Sequence, residues 1–267
     1  WSPVIKDNPL NFVKFAFPWG MKDTPLEDFK GPRKWQEKIL REMTIHIQRN
    51  GVKDLPEMFR MAVASGRGIG KSALVAWIIL WMLSTRLGST VIVTANTEQQ
   101  LRSRTWAELG KWLTLSINSH WWSKTATTIK PAAWFDEALE RDLKIDTGYY
   151  YAQAQLWSEE NPDAFAGIHS SYGVCLIMDE ASGIPSPIYS VSEGFFSEPT
   201  PNRFWFTFSN PRRNQGPFYD SFHSAKSFWK NEQIDSRTVE GTDKELFSKM
   251  IEQYGEDSTV ARVEVMG

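Results

Sequence analysis

Eight consecutive residues, Ser65-Gly66-Arg67-Gly68-Ile69-Gly70-Lys71-Ser72, carry the strongest chemical signal in the sequence. Their spacing is that of a phosphate-binding loop: one small residue, four more, then Gly-Lys-Ser. Ser65 stands where glycine is usual. Gly66, Gly68 and Gly70 still let successive backbone N–H groups turn inward as an anion nest. A helix starting near Lys71 would point its positive end at the same anion. Lys71 is expected to bridge β- and γ-phosphates and the Ser72 hydroxyl to ligate Mg²⁺, so Ser65 to Ser72 together form the expected nucleotide-binding loop. The alternative is a glycine-rich turn with an incidental lysine. The apolar run Met61–Ala64 before the loop and Ala73–Leu83 after it argue against that, since a buried strand and a buried helix are the context the motif requires. Arg67 is not needed to hold phosphate. A guanidinium there either reaches the γ-phosphate or is solvated.

A second signal is Asp179-Glu180, two carboxylates after the apolar run Val174–Met178. Parallel strands put their C-terminal ends on one edge of a sheet, which would bring this pair beside the loop. Asp179 can then hold Mg²⁺ opposite Ser72, and Glu180 can polarise an attacking water. Lys71, Glu180 and Arg67 are thus the candidate catalytic residues. Ser209 and Asn210, after the apolar run Phe204–Phe208, are candidates for sensing the γ-phosphate; a simple Asn-Pro turn is the alternative.

These residues need a scaffold. Pro32 opens a helix whose apolar positions Trp35, Ile39, Leu40, Met43 and Ile47 recur at helical spacing, with Asn50-Gly51 as its stop. Ala73–Leu83 is apolar all round and reads as a buried helix, Val91–Thr94 as a strand, residues 99–115 as a helix, and residues 244–254 as a last helix. Residues 1–31 read as an extended arm, and 118–150 as irregular, with Trp121, Trp122 and Trp134 anchoring loops. Short apolar strands alternating with helices predict an α/β fold with a mainly parallel central sheet flanked by helices. The expected organisation is an N-terminal arm and helix over 1–55, a core over 56–230, and a small lid over 231–267.

Composition narrows the function classes. The 267 residues are 41% hydrophobic and 23% charged, an ordinary globular balance. One cysteine, Cys175, excludes a disulfide framework and any cysteine-based metal site and favours a reducing compartment. Thirty Lys and Arg against 32 Asp and Glu give a net charge of −2 and no global positive field. The excess of Trp and Phe reads as a bulky core rather than a base-stacking platform. The longest apolar run, eleven residues, is too short for a bilayer. The start, Trp1-Ser2-Pro3, lacks a basic leader region, and the chain is expected to be trimmed from a longer one. Charge is uneven: residues 201–230 carry net +4 and 231–267 net −5. The basic stretch, with Arg212, Arg213 and Lys226, leaves room for a local basic track, and a solvated basic face is the equal alternative.

With these pieces in order, residues from about 30 onward resemble the ATPase domain of the large terminase subunit, the DNA-packaging motor of tailed double-stranded DNA phages. The resemblance rests on Pro32-Arg33-Lys34-Trp35-Gln36, on the Arg-containing Walker A loop Ser65–Ser72, on Thr94-Ala95-Asn96-Thr97 with Gln100, on Asp179-Glu180-Ala181 as Walker B, and on Ser209-Asn210-Pro211 as the coupling motif. It implies a P-loop NTPase of the RecA-like, ASCE type that binds ATP and Mg²⁺, with Gln36 reading adenine. It also implies double-stranded DNA, whose phosphates Arg212, Arg213 and Lys226 are candidates to contact, a portal protein and a small terminase subunit as partners, a roughly pentameric ring on the portal, and a place in the host cytoplasm at the procapsid. The family's RNase-H-like nuclease is not expected within these residues, since Asp235, Asp243 and Asp257 are scattered on polar segments; the intact protein is expected to continue into it. In such ring motors a neighbouring subunit often supplies an arginine finger, and some relatives have an Arg shortly before Walker B, where this sequence has Gly167-Ile168-His169. Arg102, Arg104 and His169 stay open for that role. The rival readings are another P-loop translocase or helicase-like ATPase, and a nucleotide-dependent interaction module that does not hydrolyse.

Overall fold

Strands that are apolar on both faces need cover on both faces, and the computed structural model, which describes residues 1–267, provides it. Eight strands form a single sheet: β1 (Phe59–Ser65), β2 (Thr90–Thr94), β3 (Trp122–Lys124), β4 (Thr128–Pro131), β5 (Tyr151–Ala154), β6 (Val174–Asp179), β7 (Arg203–Ser209) and β8 (Lys230–Ile234). Their order is β3-β4-β5-β2-β6-β7-β1-β8. Every pair from β5 to β8 is parallel, while β3 and β4 add an antiparallel hairpin at the β5 edge. This is the expected mainly parallel α/β sheet. β7 runs between β1 and β6, with Ala64 opposite Ser209 and Asp179 opposite Phe208. Two inter-strand steps of about 4.8 Å therefore separate the β1 and β6 ends by roughly 10 Å, which leaves room between them for a ligand.

The helices are α1 (Pro3–Lys6), α2 (Pro9–Ala16), α3 (Lys34–Asn50), α4 (Lys71–Thr85), α5 (Glu98–Gln100), α6 (Ala107–Leu115), α7 (Ala133–Leu143), α8 (Ser186–Ser192), α9 (Pro217–Asp220), α10 (Lys244–Tyr254) and α11 (Thr259–Ala261). Side chains alternate between two cores. Phe204, Phe206 and Phe208 face the larger one with α2, α3, α4 and α6, whereas Trp205, Leu176 and Met178 face the smaller one with α8 and α9. Every residue of α4 from Leu74 to Thr85 is buried, which explains the absence of any polar stripe in that segment.

Four stretches differ from the sequence expectations. The N-terminal arm is not extended: Asn8 caps α2 by accepting from the Asn11 amide, Pro9 takes the first helical position, and Leu10, Phe12, Val13 and Ala16 are buried. Residues 118–150 are not irregular but contain β3, β4 and α7, whose mixed polar pattern suits a half-exposed sheet edge. β5 was hidden by its shortness. β8 (Lys-Asn-Glu-Gln-Ile) reads as polar because it is an edge strand with little burial before Ile234, yet it pairs with β1 over Met61–Ser65. Residue 231, where the charge balance changes sign, therefore lies inside a strand of the sheet.

Phe206 is fully buried between Phe204 and Phe208, with ring centroids 6.5 and 6.1 Å away. Phe206→Ala should lower the unfolding free energy by about 3–5 kcal/mol, as large-to-small changes in a packed core do, in a urea titration followed by Trp fluorescence.

Candidate active site

Three side chains at the start of α3 hold the outer side of the glycine loop. Arg33 Nη1 donates to the Gly68 carbonyl (3.1 Å), Trp35 Nε1 to the Ile69 carbonyl (3.0 Å) and Gln36 Nε2 to the Gly70 carbonyl (2.8 Å). With these carbonyls drawn outward, the amides turn the other way. The N–H groups from Gly68 to Ala73 donate to no acceptor in the protein, while those of Gly66 and Arg67 are bonded to the carbonyls of Ile234 and Glu264. Gly68 and Gly70 take positive φ (71° and 89°), which this reversal requires and a side chain would strain. Unpaired amides in series at a helix start form an anion cradle.

That cradle forms one wall of a cavity of about 830 Å³, whose other walls carry Asp179, Glu180, Asn210, Arg212, Gln100, Arg104 and Glu108. Lys71, Ser72, Arg67, Asp179, Glu180 and Asn210, singled out from the sequence, thus share one chamber. Gln36 does not line it. Its amide is buried behind the loop, where Oε1 accepts from the Arg33 amide and Nε2 donates to Gly70. Ser65 is buried at the loop's base and accepts from Lys71 Nζ (2.9 Å).

Lys71 Nζ also donates to the Gly66 carbonyl (3.2 Å) and to Asn210 Oδ1 (3.0 Å), so its three donors all have acceptors. Burial pushes its ammonium below the ordinary lysine value, against the pull of Glu180, Asp179 and Glu264. Asn210 in turn donates from Nδ2 to the Val263 carbonyl (3.1 Å). The segment around Glu264 closes over the loop: its carboxylate pairs with Arg67 and with Arg212 (3.1 Å), and the Ser236 hydroxyl donates to the Arg67 carbonyl (2.8 Å). A Cβ on Gly66 would collide with the Val265 carbonyl oxygen, so this glycine is what allows the segment so close.

Glu180 adopts a left-handed conformation (φ 53°) that is uncommon for a side-chain-bearing residue and concentrates at functional sites. The turn is pinned from several sides. Asn96 Nδ2 donates to the Glu180 carbonyl (3.0 Å), the Ser182 amide to Ser209 Oγ (3.1 Å), and the Ser182 hydroxyl to the Asn210 carbonyl (3.0 Å). Desolvation, then the neighbouring Asp179 carboxylate, raises the Glu180 carboxyl above the usual glutamate range, with Lys71, Arg212 and Arg104 acting the other way. Asp179 accepts from the Glu180 amide on Oδ1 (3.0 Å) and from the Thr105 hydroxyl on Oδ2 (2.6 Å). Each oxygen keeps acceptor capacity, the Ser72 hydroxyl has no protein partner, and both face the cavity. An all-oxygen donor pair with open positions suits Mg²⁺, which retains several waters.

No family model matches the sequence. The probable terminase large subunit of Enterobacteria phage P7 is 28% identical over 170 residues, a match that takes in 61% of this chain and 31% of that protein. The ATPase domain of the Thermus phage P74-26 large terminase superposes with a TM-score of 0.57 at 16% identity, over 88% of this chain and 93% of that one. This chain has the fold of a large-terminase ATPase domain. The large terminase of a thermophilic bacteriophage, in complex with ADP, gives a TM-score of 0.52 at 12% identity, over 77% of this chain and 47% of that one.

Against this terminase fold the remaining candidates separate. Arg104 lines the cavity, Arg102 turns to Glu98 (2.8 Å) on the surface, and His169 sits in a cleft with Asp146, Tyr149 and Tyr172, next to the N-terminal ends of β2 and β6. The basic stretch does not form one track. Arg203 donates to the carbonyls of Pro56, Phe196 and Thr200, Lys230 pairs with Glu42 (2.7 Å) and Arg212 faces the cavity, while Arg213 and Lys226 are exposed. Sequence reasoning did not reach Thr105, Glu264 or the loop-holding roles of Arg33 and Trp35. Trp35 carried a core signal and a place in the Pro32–Gln36 motif but no sign of a bond to the loop, and Glu264 carried nothing beyond its charge.

The raised Glu180 carboxyl has a consequence for stability. A carboxyl raised in the folded state favours folding when protonated and opposes it once ionised above that value. Glu180→Gln should therefore melt at a higher temperature than the unsubstituted chain at neutral pH, with the gap closing as pH falls through the raised value. Differential scanning calorimetry across that range measures it.

Proposed function

We propose that this chain is the ATP-hydrolysing motor domain of a terminase large subunit, which drives double-stranded DNA into a procapsid. The observation that carries the reading is the run of unpaired amides from Gly68 to Ala73 facing Asp179 and Glu180 across one cavity. The sequence match to the phage P7 protein and the shared fold support it. The ADP complex of the thermophilic phage terminase supports a nucleotide as the occupant.

On this reading the amides of Gly68–Ala73 and the Lys71 ammonium bind the triphosphate. Ser72 and Asp179 would hold Mg²⁺, which supplies charge neutralisation on the phosphates when bound. Glu180 accepts the proton of the attacking water; its raised basicity suits that role better than an ordinary carboxylate would. Arg67 and Arg212 can exchange Glu264 for phosphate oxygens. When the terminal phosphate leaves, Lys71 recovers its bonds to Ser65, Gly66 and Asn210. Asn210 passes that change to the Val263 carbonyl, and so to the segment that follows β8. Residues after β8 then act as a small lid moving against the sheet. Exposed Arg213 and Lys226 are the proposed contacts to DNA phosphates, a sequence-blind mode suited to packaging. A portal protein, a small subunit and a ring of copies complete the proposed machine.

Phosphate release from ATP, measured with and without duplex DNA, tests the reading. The chain should hydrolyse ATP, and Glu180→Ala should lower the rate by about 10²–10⁴-fold, the range for removing a positioned general base, while leaving ATP binding intact. Absence of nucleotide binding, or turnover indifferent to Glu180, overturns the proposal. The pH profile of kcat/KM, which reports groups of the free protein, should show an acid limb displaced upward from the usual glutamate range, because the ionised carboxylate is the active form and its pKa is raised.

Gln36→Ala gives a separate check. It frees the Gly70 carbonyl and loosens the cradle, and the dissociation constant for a fluorescent ADP analogue should rise by about tenfold, matching the loss of a single bond worth roughly 1–1.5 kcal/mol.

A further inference from the structure

Between α5 and α6 the chain does not keep an α-helical repeat: Leu101–Trp106 is a π-helical turn. Such widened turns occur singly inside α-helices and concentrate at functional sites. This one changes which side chains align. Gln100, Arg104 and Glu108 all face the cavity, while Leu101 and Thr105, one position further along, are buried toward the sheet. Thr105 is 1% exposed, and its hydroxyl donates to Asp179 Oδ2 at 2.6 Å.

We infer that Thr105 is a positioning residue for the metal-holding carboxylate Asp179. The inference rests on the ATP·Mg²⁺ reading of this cavity and deepens it. The backbone amide of Glu180 fixes one carboxylate oxygen and Thr105 fixes the other. The carboxylate plane is therefore set by two bonds from different elements, one on the sheet edge and one on the π turn. Without the hydroxyl, Oδ2 loses its buried donor and the group is free to rotate. Thr105 does not itself line the cavity and its hydroxyl bonds only to Asp179, so its effect on a ligand passes through that carboxylate. Because Thr105 and Arg104 are successive residues of one turn, the orientation of Asp179 is also tied to where Arg104 stands.

The test uses Thr105→Val, which keeps the shape and removes the donor, and Thr105→Ser, which keeps the donor. Affinity for a fluorescent, non-hydrolysable ATP analogue is measured by titration in EDTA and at increasing Mg²⁺. The Val variant should bind the analogue unchanged in EDTA but need roughly 10–100-fold more Mg²⁺ to reach its tight-binding state, the range found when a second-sphere hydrogen bond to a metal ligand is removed. The Ser variant should follow the unsubstituted chain. An unaltered Mg²⁺ requirement in the Val variant overturns the inference, as does a Ser variant as impaired as Val, which would make the role one of packing. Thr105→Ala stands in should Val fail to fold; failure of both to fold overturns the inference in favour of a purely structural role. If the unsubstituted chain gains nothing from Mg²⁺, the reading of the cavity itself fails, an outcome distinct from those above.

Discussion

The amide cradle exists only if the carbonyls of Gly68, Ile69 and Gly70 point away from the cavity, and the rest of the structure is organised around that constraint. A backbone unit cannot aim its N–H inward unless the carbonyls along the same stretch find partners elsewhere. Arg33, Trp35 and Gln36 supply those partners from the start of α3, a helix that owes its own position to an apolar face of Trp35, Ile39, Leu40 and Met43 packed into the larger core. The local chemistry of eight residues thus depends on the start of a helix whose bonds to the loop span 34 to 35 residues of chain. The buried helix α4, without a polar face, fixes the other end of the loop.

The opposite wall follows from strand order. With β7 between β1 and β6, the acidic pair faces the loop across a gap rather than packing against it, and the residues after β7 fall into that gap. Asn210 accordingly reaches Lys71 on one side and Val263 on the other, while Ser209 and Ser182 tie the β6 and β7 ends together. The left-handed backbone at Glu180 persists because Asn96, Ser182 and the Asp179 carboxylate all hold the turn.

Much of this was legible in the residues alone. The loop, the buried helix behind it, the acidic strand end and the polar turn after β7 each carry local patterns that survive folding unchanged, and they were readable for that reason. What stayed hidden depends on partners remote in sequence. β8 is polar because it lies at an edge, and its identity as a strand comes only from pairing with β1. The hairpin of β3 and β4 alternates too briefly to register as a period. Gln36 was recognisable as a motif residue, yet its burial behind the loop, outside the cavity lining, could not be inferred from spacing. Arg212 looked like part of a basic stripe until the fold brought Glu264 to it across 52 residues.

Glu264 gives the resting cavity an unusual electrostatic character. Its carboxylate, 13% exposed, is shared by Arg67 and Arg212 and offsets part of their charge, and Asn210, Ser65 and Gly66 already satisfy Lys71. The chamber is therefore not a bare positive well. An anion seated on the amides of Gly68 to Ala73 alone leaves the Glu264 pairs in place, since those amides have no protein acceptor. An anion long enough to reach both guanidiniums as well has to take them from a carboxylate tethered to the same chain.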